Sequence, residues 1–279
     1  MRFLSYTING RASWGVLLDN EEILDLQVRG LGQTLRAAIA AGRLGEVPAL
    51  AKGAKPDHRL TEVVLDVPLP DAGKILAVGA NYSAHAAEMN RAVGNEPQFF
   101  VRLPNSLVPH GAAIVKPRVS DHLDYEGELA IIIGKRGRHI SEDKAMDHVA
   151  GYSCFNDGTI RDYQQVSLPV GKNFDASGSM GPWMIAAEAV IFPLELETRV
   201  NGDRRQYDTT DHLTFGIPKL IEYASRFVTL EPGDIIASGT PSGVGMRRDP
   251  PTWLRDGDQL DVEISGVGKL SNPIRNEVV

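Results

Sequence analysis

The chain is poor in thiols: Cys154 is the single cysteine in 279 residues. That excludes an intramolecular disulfide and fits a reducing compartment, with Cys154 expected as a small buried residue in an apolar strand. Long apolar runs are absent too. No stretch approaches the roughly 18 residues that a membrane-spanning helix requires, and Met1 to Tyr6 carries no apolar leader core. The expected protein is soluble, unexported and cytoplasmic, with no membrane partner. Nor is there a basic excess: 29 Lys and Arg stand against 36 Asp and Glu, for a net charge of -7. Such a surface neutralises no phosphate backbone, which argues against nucleic acid as a partner. It also repels an organic acid at long range, so an anionic substrate has to be attracted locally, by a bound cation or a few placed basic groups.

What is present is ordinary globular composition, without internal repeats or low-complexity tracts. Residues 1–68 read as a small α/β N-terminal domain. Its short apolar runs, Phe3 to Ile8, Trp14 to Leu18 and Ile23 to Leu26, are separated by Asn9-Gly10 and Asp19-Asn20 turn signals. A helical pattern follows over Leu31 to Ala41, and Pro56, Pro68 and Pro70 punctuate a boundary. Residues 69–279 are richer in glycine and in β-branched runs such as Ile75 to Val78, Leu129 to Ile133, Ile235 to Ala237 and Leu260 to Ile264. Helix candidates are few: Ser83 to Arg91, Ser141 to Asp147 and Ile217 to Phe227. A mainly β, α+β fold is expected rather than a regular βαβ sheet.

Chemistry concentrates in Asp124-Tyr125-Glu126-Gly127-Glu128, which enters the apolar run Leu129 to Ile133. Strand side chains alternate faces, so Glu126 and Glu128 point the same way. Two carboxylates at the mouth of an apolar strand need a proton, a basic residue or a metal to neutralise them. A second strand-like run, Val149 to Phe155, ends in Asn156-Asp157-Gly158, where Asp157 can supply a third oxygen. Oxygen-only coordination suits Mg²⁺ or Mn²⁺, with Ca²⁺ as an alternative, and no Cys or His recurs at zinc-ligand spacing. Taken singly, Glu-x-Glu is more often the solvated face of an edge strand, and Asn-Asp-Gly is usually just a turn. Ser238-Gly239-Thr240-Pro241-Ser242-Gly243 lacks the Gly-Lys-Ser/Thr ending of a phosphate loop.

Five ordered blocks closely resemble the fumarylacetoacetate hydrolase family. They are Lys74 to Tyr82 with His85 and Glu88; the Glu126/Glu128 strand; Asn156-Asp157 with Arg161 to Gln164; Gly171 to Asp175; and Leu230 to Gly245. The resemblance implies a β-roll catalytic domain of mixed sheets, usually dimeric, hence a homodimer. It implies a metal on Glu126, Glu128 and Asp157, and a pocket lined by Lys172, Gln164 and Thr240, with Tyr82, Arg102 and Arg161 as further substrate-binding candidates. His85 and Glu88, three apart on a helix, are the family's water-activating pair. The implied activity is hydrolysis of a C–C bond in a small acylpyruvate-like or 2,4-diketo acid through a metal-stabilised enolate, Lys172 assisting. The alternatives are a decarboxylase, tautomerase or isomerase of a 2-oxo acid such as oxaloacetate or a hydroxymuconate-type diacid, and, more remotely, a non-catalytic binding protein. Two departures bear on the pocket. The Gln164 to Lys172 connection is short and lacks the usual tryptophan, and Arg102 stands where lysine is frequent, either in the pocket or at the surface with its stem packed. The polar segment Glu88 to Pro97, with Gly94, suggests a lid.

Overall fold

The computed structural model describes residues 1–90 and 94–278. Gly127–Ile133 is buried along its whole length near the middle of a 12-stranded sheet. Its neighbours are Val149–Asn156 and Ile235–Ala237, both antiparallel to it. Burial on both faces explains why the sequence there is a continuous β-branched run instead of an alternating one. Leu129, Ile131 and Ile133 face one core, and Ala130 and Ile132 face another.

The first of these cores lies against a second, 5-stranded sheet containing Glu195–Val200, Gln259–Ile264 and Gly268–Asn276. Cys154 is buried in it, among the apolar side chains expected of it. The helix Ile217–Phe227 closes the same core with Ile217, Leu220, Ile221 and Ala224. That spacing of three, one and three is one face of an α-helix, and Pro218 is accommodated in its first turn, where no intrahelical N–H bond is needed. This mixed, mainly β architecture with few helices is the α+β class expected from the sequence.

The second core joins the N-terminal residues to the rest. Arg2–Ile8 pairs with Gly178–Ala186 through Arg2↔Ile185 and Phe3↔Met184, so residues 1–68 extend the large sheet. Phe3, Trp14 and Leu24 share a core with Ile75, Ala130 and Phe155. The proline-marked boundary at residues 68–69 is therefore crossed by both strand pairing and packing. The expected helix Leu31 to Ala41 is reduced to Leu35–Ala40, because Thr34 caps it by accepting from Ala37 N at 3.1 Å. Ser141 to Asp147, expected as an α-helix, is a 3₁₀ run over Glu142–His148. Only Ala145 is buried there, too little to anchor an α-helical stripe. The helix expected over Ser83 to Arg91 ends at Glu88, and Arg91, with part of the expected lid, lies outside the described residues.

Candidate active site

The site forms at one end of the large sheet. Glu126 and Glu128 project to the same side, while Gly127 between them faces the second sheet. A Cβ on Gly127 would lie 2.1 Å from Thr198 Oγ1, so the glycine is what lets the two sheets close at this point. In the adjacent strand Asn156 pairs with Gly127, which brings Asp157 alongside, its N–H donating to Glu126 O at 2.8 Å. One oxygen from each of Glu126, Glu128 and Asp157 lies within 4.8 Å of the others, and all three residues are buried.

Three cations are buried with them. Lys172 Nζ donates to Glu126 Oε2 and Asp157 Oδ2, each at 2.5 Å. Arg161 contacts Glu126 Oε1 at 2.7 Å and donates from Nε to Asp124 Oδ2 at 2.8 Å. Arg102 Nη1 donates to Asp157 Oδ1 at 2.6 Å. Burial works against ionising Glu126, but Lys172 and Arg161 outweigh it and hold that carboxyl below its ordinary range. Glu128 differs. It accepts from Gly239 N at 2.8 Å, and burial, then Asp157, then Glu126 push its carboxyl well above the usual range. Among the described residues Arg102, Arg161 and Lys172 thus pair with Asp157, Asp124 and Glu126, and the Glu128 carboxyl is left without a cationic partner. A buried all-oxygen donor set with one carboxyl unpaired fits a hard divalent cation.

His85 lies on the short helix Ser83–Glu88 and donates from Nδ1 to Glu88 Oε2 at 3.0 Å, the pairing their spacing led us to expect. His85 shares a cavity of about 140 Å³ with Glu126, Glu128, Asp157, Lys172, Arg161, Gln164 and Thr240. Two candidates are placed elsewhere. Arg102 is fully buried behind Asp157 and also holds Gly158 O and Ser177, so it is neither a surface residue nor part of the cavity lining. Tyr82, likewise buried, precedes the His85 helix and is not on the lining. The Thr240 hydroxyl donates to Gly127 O at 2.8 Å and accepts from Gln206 at 2.7 Å, which commits its proton to the framework and not to a ligand carboxylate. The Gln164 side-chain oxygen accepts from Arg161 at 3.0 Å.

Sequence reasoning passed over Asp124, Gln206 and Asn81. Asp124 was in view, but its partners Arg161, Gly245 and Met246 are far along the chain. Gln206 binds Gly127 N and Thr240 from a hairpin with no distinguishing local pattern. Asn81 donates to Ser238 O and Phe215 O, bracing the Gly239 turn.

A buried acidic triad and His85, itself held by Glu88, line one small cavity on a two-sheet, mainly β frame. Residues 74–275 match the fumarylacetoacetate (FAA) hydrolase C-terminal family, and the chain belongs to that family of enzymes. Oxaloacetate tautomerase YisK of Bacillus subtilis (strain 168) is 40% identical over 301 residues, covering 98% of this chain and 100% of its own. The 4-hydroxyphenylacetate degradation bifunctional isomerase/decarboxylase of Salmonella dublin is 43% identical over 213 residues, 74% of this chain and 48% of that protein. Among solved structures, maleylpyruvate hydrolase from Sphingobium sp. SYK-6 in complex with manganese(II) and pyruvate superposes with a TM-score of 0.83 at 30% identity, covering 100% of both chains. Tautomerase, isomerase, decarboxylase and hydrolase activities thus all occur among its relatives. The manganese-bound neighbour and the acidic triad together suggest a divalent metal.

Proposed function

We propose that the chain is a tautomerase or isomerase of a small 2-oxo diacid of the oxaloacetate type, acting with Mg²⁺ or Mn²⁺ on Glu126, Glu128 and Asp157. This was the alternative to C–C hydrolysis in the sequence reading. The relatives named for tautomerase and isomerase/decarboxylase activity now favour it. The observation that carries it is that His85 and the acidic triad line the same cavity of about 140 Å³. A cation held there supplies positive charge to the substrate's carboxylate and to the negative charge that develops beside it.

The rest is the work of side chains. With Nδ1 of His85 donating to Glu88 Oε2, the other ring nitrogen, Nε2, is the acceptor. His85 takes the proton from the carbon next to the ketone, and a proton returned to the ketone oxygen completes the enol. No water is consumed and no carbon–carbon bond breaks. Lys172 adds a positive charge at the triad. Cytoplasmic location and a homodimer belong to the same proposal.

The test is an NMR assay of the Mn²⁺- or Mg²⁺-loaded protein with oxaloacetate and with acetylpyruvate. We expect accelerated keto–enol exchange of oxaloacetate without loss of CO₂, and His85→Ala or Glu88→Ala to slow it by about 10²–10⁴-fold with Mn²⁺ affinity unchanged. Acetate and pyruvate released from acetylpyruvate, with no effect on the oxaloacetate enol, would return the assignment to hydrolysis.

A further inference from the structure

The tyrosine of the Asp124-Tyr125-Glu126-Gly127-Glu128 run plays no part in the chemistry above, yet it is buried beside it. Its hydroxyl donates to Gly243 O at 3.0 Å. Gly243 in turn donates its N–H to Glu88 Oε1 at 2.9 Å, and the other oxygen of Glu88 holds His85. Tyr125 is therefore linked to Glu88 and His85, and so to the cavity, by hydrogen bonds on either side of the Gly243 backbone.

Gly243 is a demanding link. Its φ is +104°, and a Cβ there would lie 2.1 Å from Arg205 O, so the backbone turns in a way only glycine tolerates. The carbonyl and N–H of Gly243 lie in the two peptide planes joined at its Cα, so a donor that holds the carbonyl restrains one of the two planes between which φ and ψ set the aim of the N–H. Asp124 holds the loop just beyond, accepting from Gly245 N at 2.8 Å and Met246 N at 3.0 Å. The loop also grips the end of the His85 helix, because Arg247 Nη2 donates to Met89 O at 3.1 Å.

We propose that Tyr125 is a positioning residue of the His85–Glu88 pair, acting through the left-handed backbone of Gly243 to hold Glu88 in the rotamer that keeps His85 Nδ1 protonated. The proposal rests on the reading of His85 as the proton-transferring base. It links the metal-binding strand to the base: consecutive residues 125 and 126 serve the two halves of the site, one through the glycine loop and one directly.

The test is Tyr125→Phe, which keeps the ring and removes the donor, studied alone and combined with Glu88→Gln in the metal-loaded enzyme. We expect kcat for proton exchange to fall about tenfold, with KM and Mn²⁺ affinity unchanged. In ¹⁵N-histidine spectra the His85 ring signals should move toward the other tautomer. In the Glu88→Gln background Tyr125→Phe should add little, because the residues act in series. Equal losses in both backgrounds, or unchanged kcat and His85 signals in the single variant, would overturn the proposal. Should Tyr125→Phe lose its cooperative melt, the His85 signals of Gly243→Ala replace it: an unmoved tautomer there also overturns the inference. Failure of the base assignment looks different, since His85→Ala and Glu88→Gln would themselves leave exchange unaffected.

Discussion

Among the described residues Glu128 is the triad member with no cation of its own, and that predicts how the site responds to metal. Glu126 and Asp157 each touch Lys172, while Glu128 is held by a backbone N–H. Replacing it by glutamine keeps an acceptor for Gly239 and removes the cost of burying an ionisable carboxyl beside Asp157 and Glu126. Without metal, Glu128→Gln should therefore melt higher than the parent, by about 1–3 kcal/mol of stability, and should lose the stabilisation that Mn²⁺ confers on the parent. Thermal melts with and without Mn²⁺ check both; an undiminished Mn²⁺ shift in the variant would remove Glu128 from the ligand set. A second buried carboxylate, Asp25, behaves oppositely. Burial disfavours its charge, but Val28 N at 3.0 Å, Ser13 Oγ at 2.8 Å and Arg11 hold it below its ordinary value. A depressed folded-state value means stability present above the unfolded value and lost as pH falls through the folded one. Asp25→Asn should flatten the acid limb of a stability profile below about pH 4, and should cost about 1–3 kcal/mol at neutral pH. A profile parallel to the parent's would exclude Asp25 as its source.

At the scale of elements, the Gly127–Ile133 strand does two jobs with one alternation. One face carries Glu128 into the site, and the other must come close to the Glu195–Val200 strand of the second sheet, where Thr198 stands opposite Gly127. Gly127→Ala should destabilise by about 1–3 kcal/mol, and weaken Mn²⁺ binding by tilting the flanking carboxylates. Thr198→Ala in the same chain removes the colliding oxygen and should restore much of both losses. Denaturant titration of the two variants measures this, and an equal loss with or without the second change would refute the steric account. The short helix Ser83–Glu88 shows a different dependence. At six residues it is too short to be stable alone, so the His85–Glu88 spacing is useful only because Gly243 and Arg247 dock it.

At the scale of the whole molecule, the N-terminal residues and the catalytic region share a sheet and a core. A chain beginning at residue 69 would lose the strand paired with Gly178–Ala186 and bare the core around Met180 and Met184. Each buried side chain such as Phe3, Trp14 or Leu24 accounts for roughly 1.5–3 kcal/mol, against a total stability of about 5–15 kcal/mol. We expect the full chain to melt in one transition and the 69–279 fragment not to fold. A cooperative melt of that fragment, followed by circular dichroism, would show two separable domains instead.

Sequence by itself determined what depends on neighbours along the chain. Period two set Glu126 and Glu128 on one face, Ile217 to Phe227 stood out as the long helix, and three residues of helix joined His85 to Glu88. Tertiary structure decided what depends on closure between distant segments. Arg102 meets Asp157 across 55 residues, turning an apparent pocket or surface residue into a buried counter-charge. Thr240 meets Gly127 across 113 residues, and its hydroxyl is spent on that carbonyl. The three carboxylates of the triad were legible in the sequence. That Glu128, among the described residues, is the one of the three without a cationic partner was not, because charge balance in a buried site is a sum over every segment that reaches it, and local periodicity describes one segment at a time.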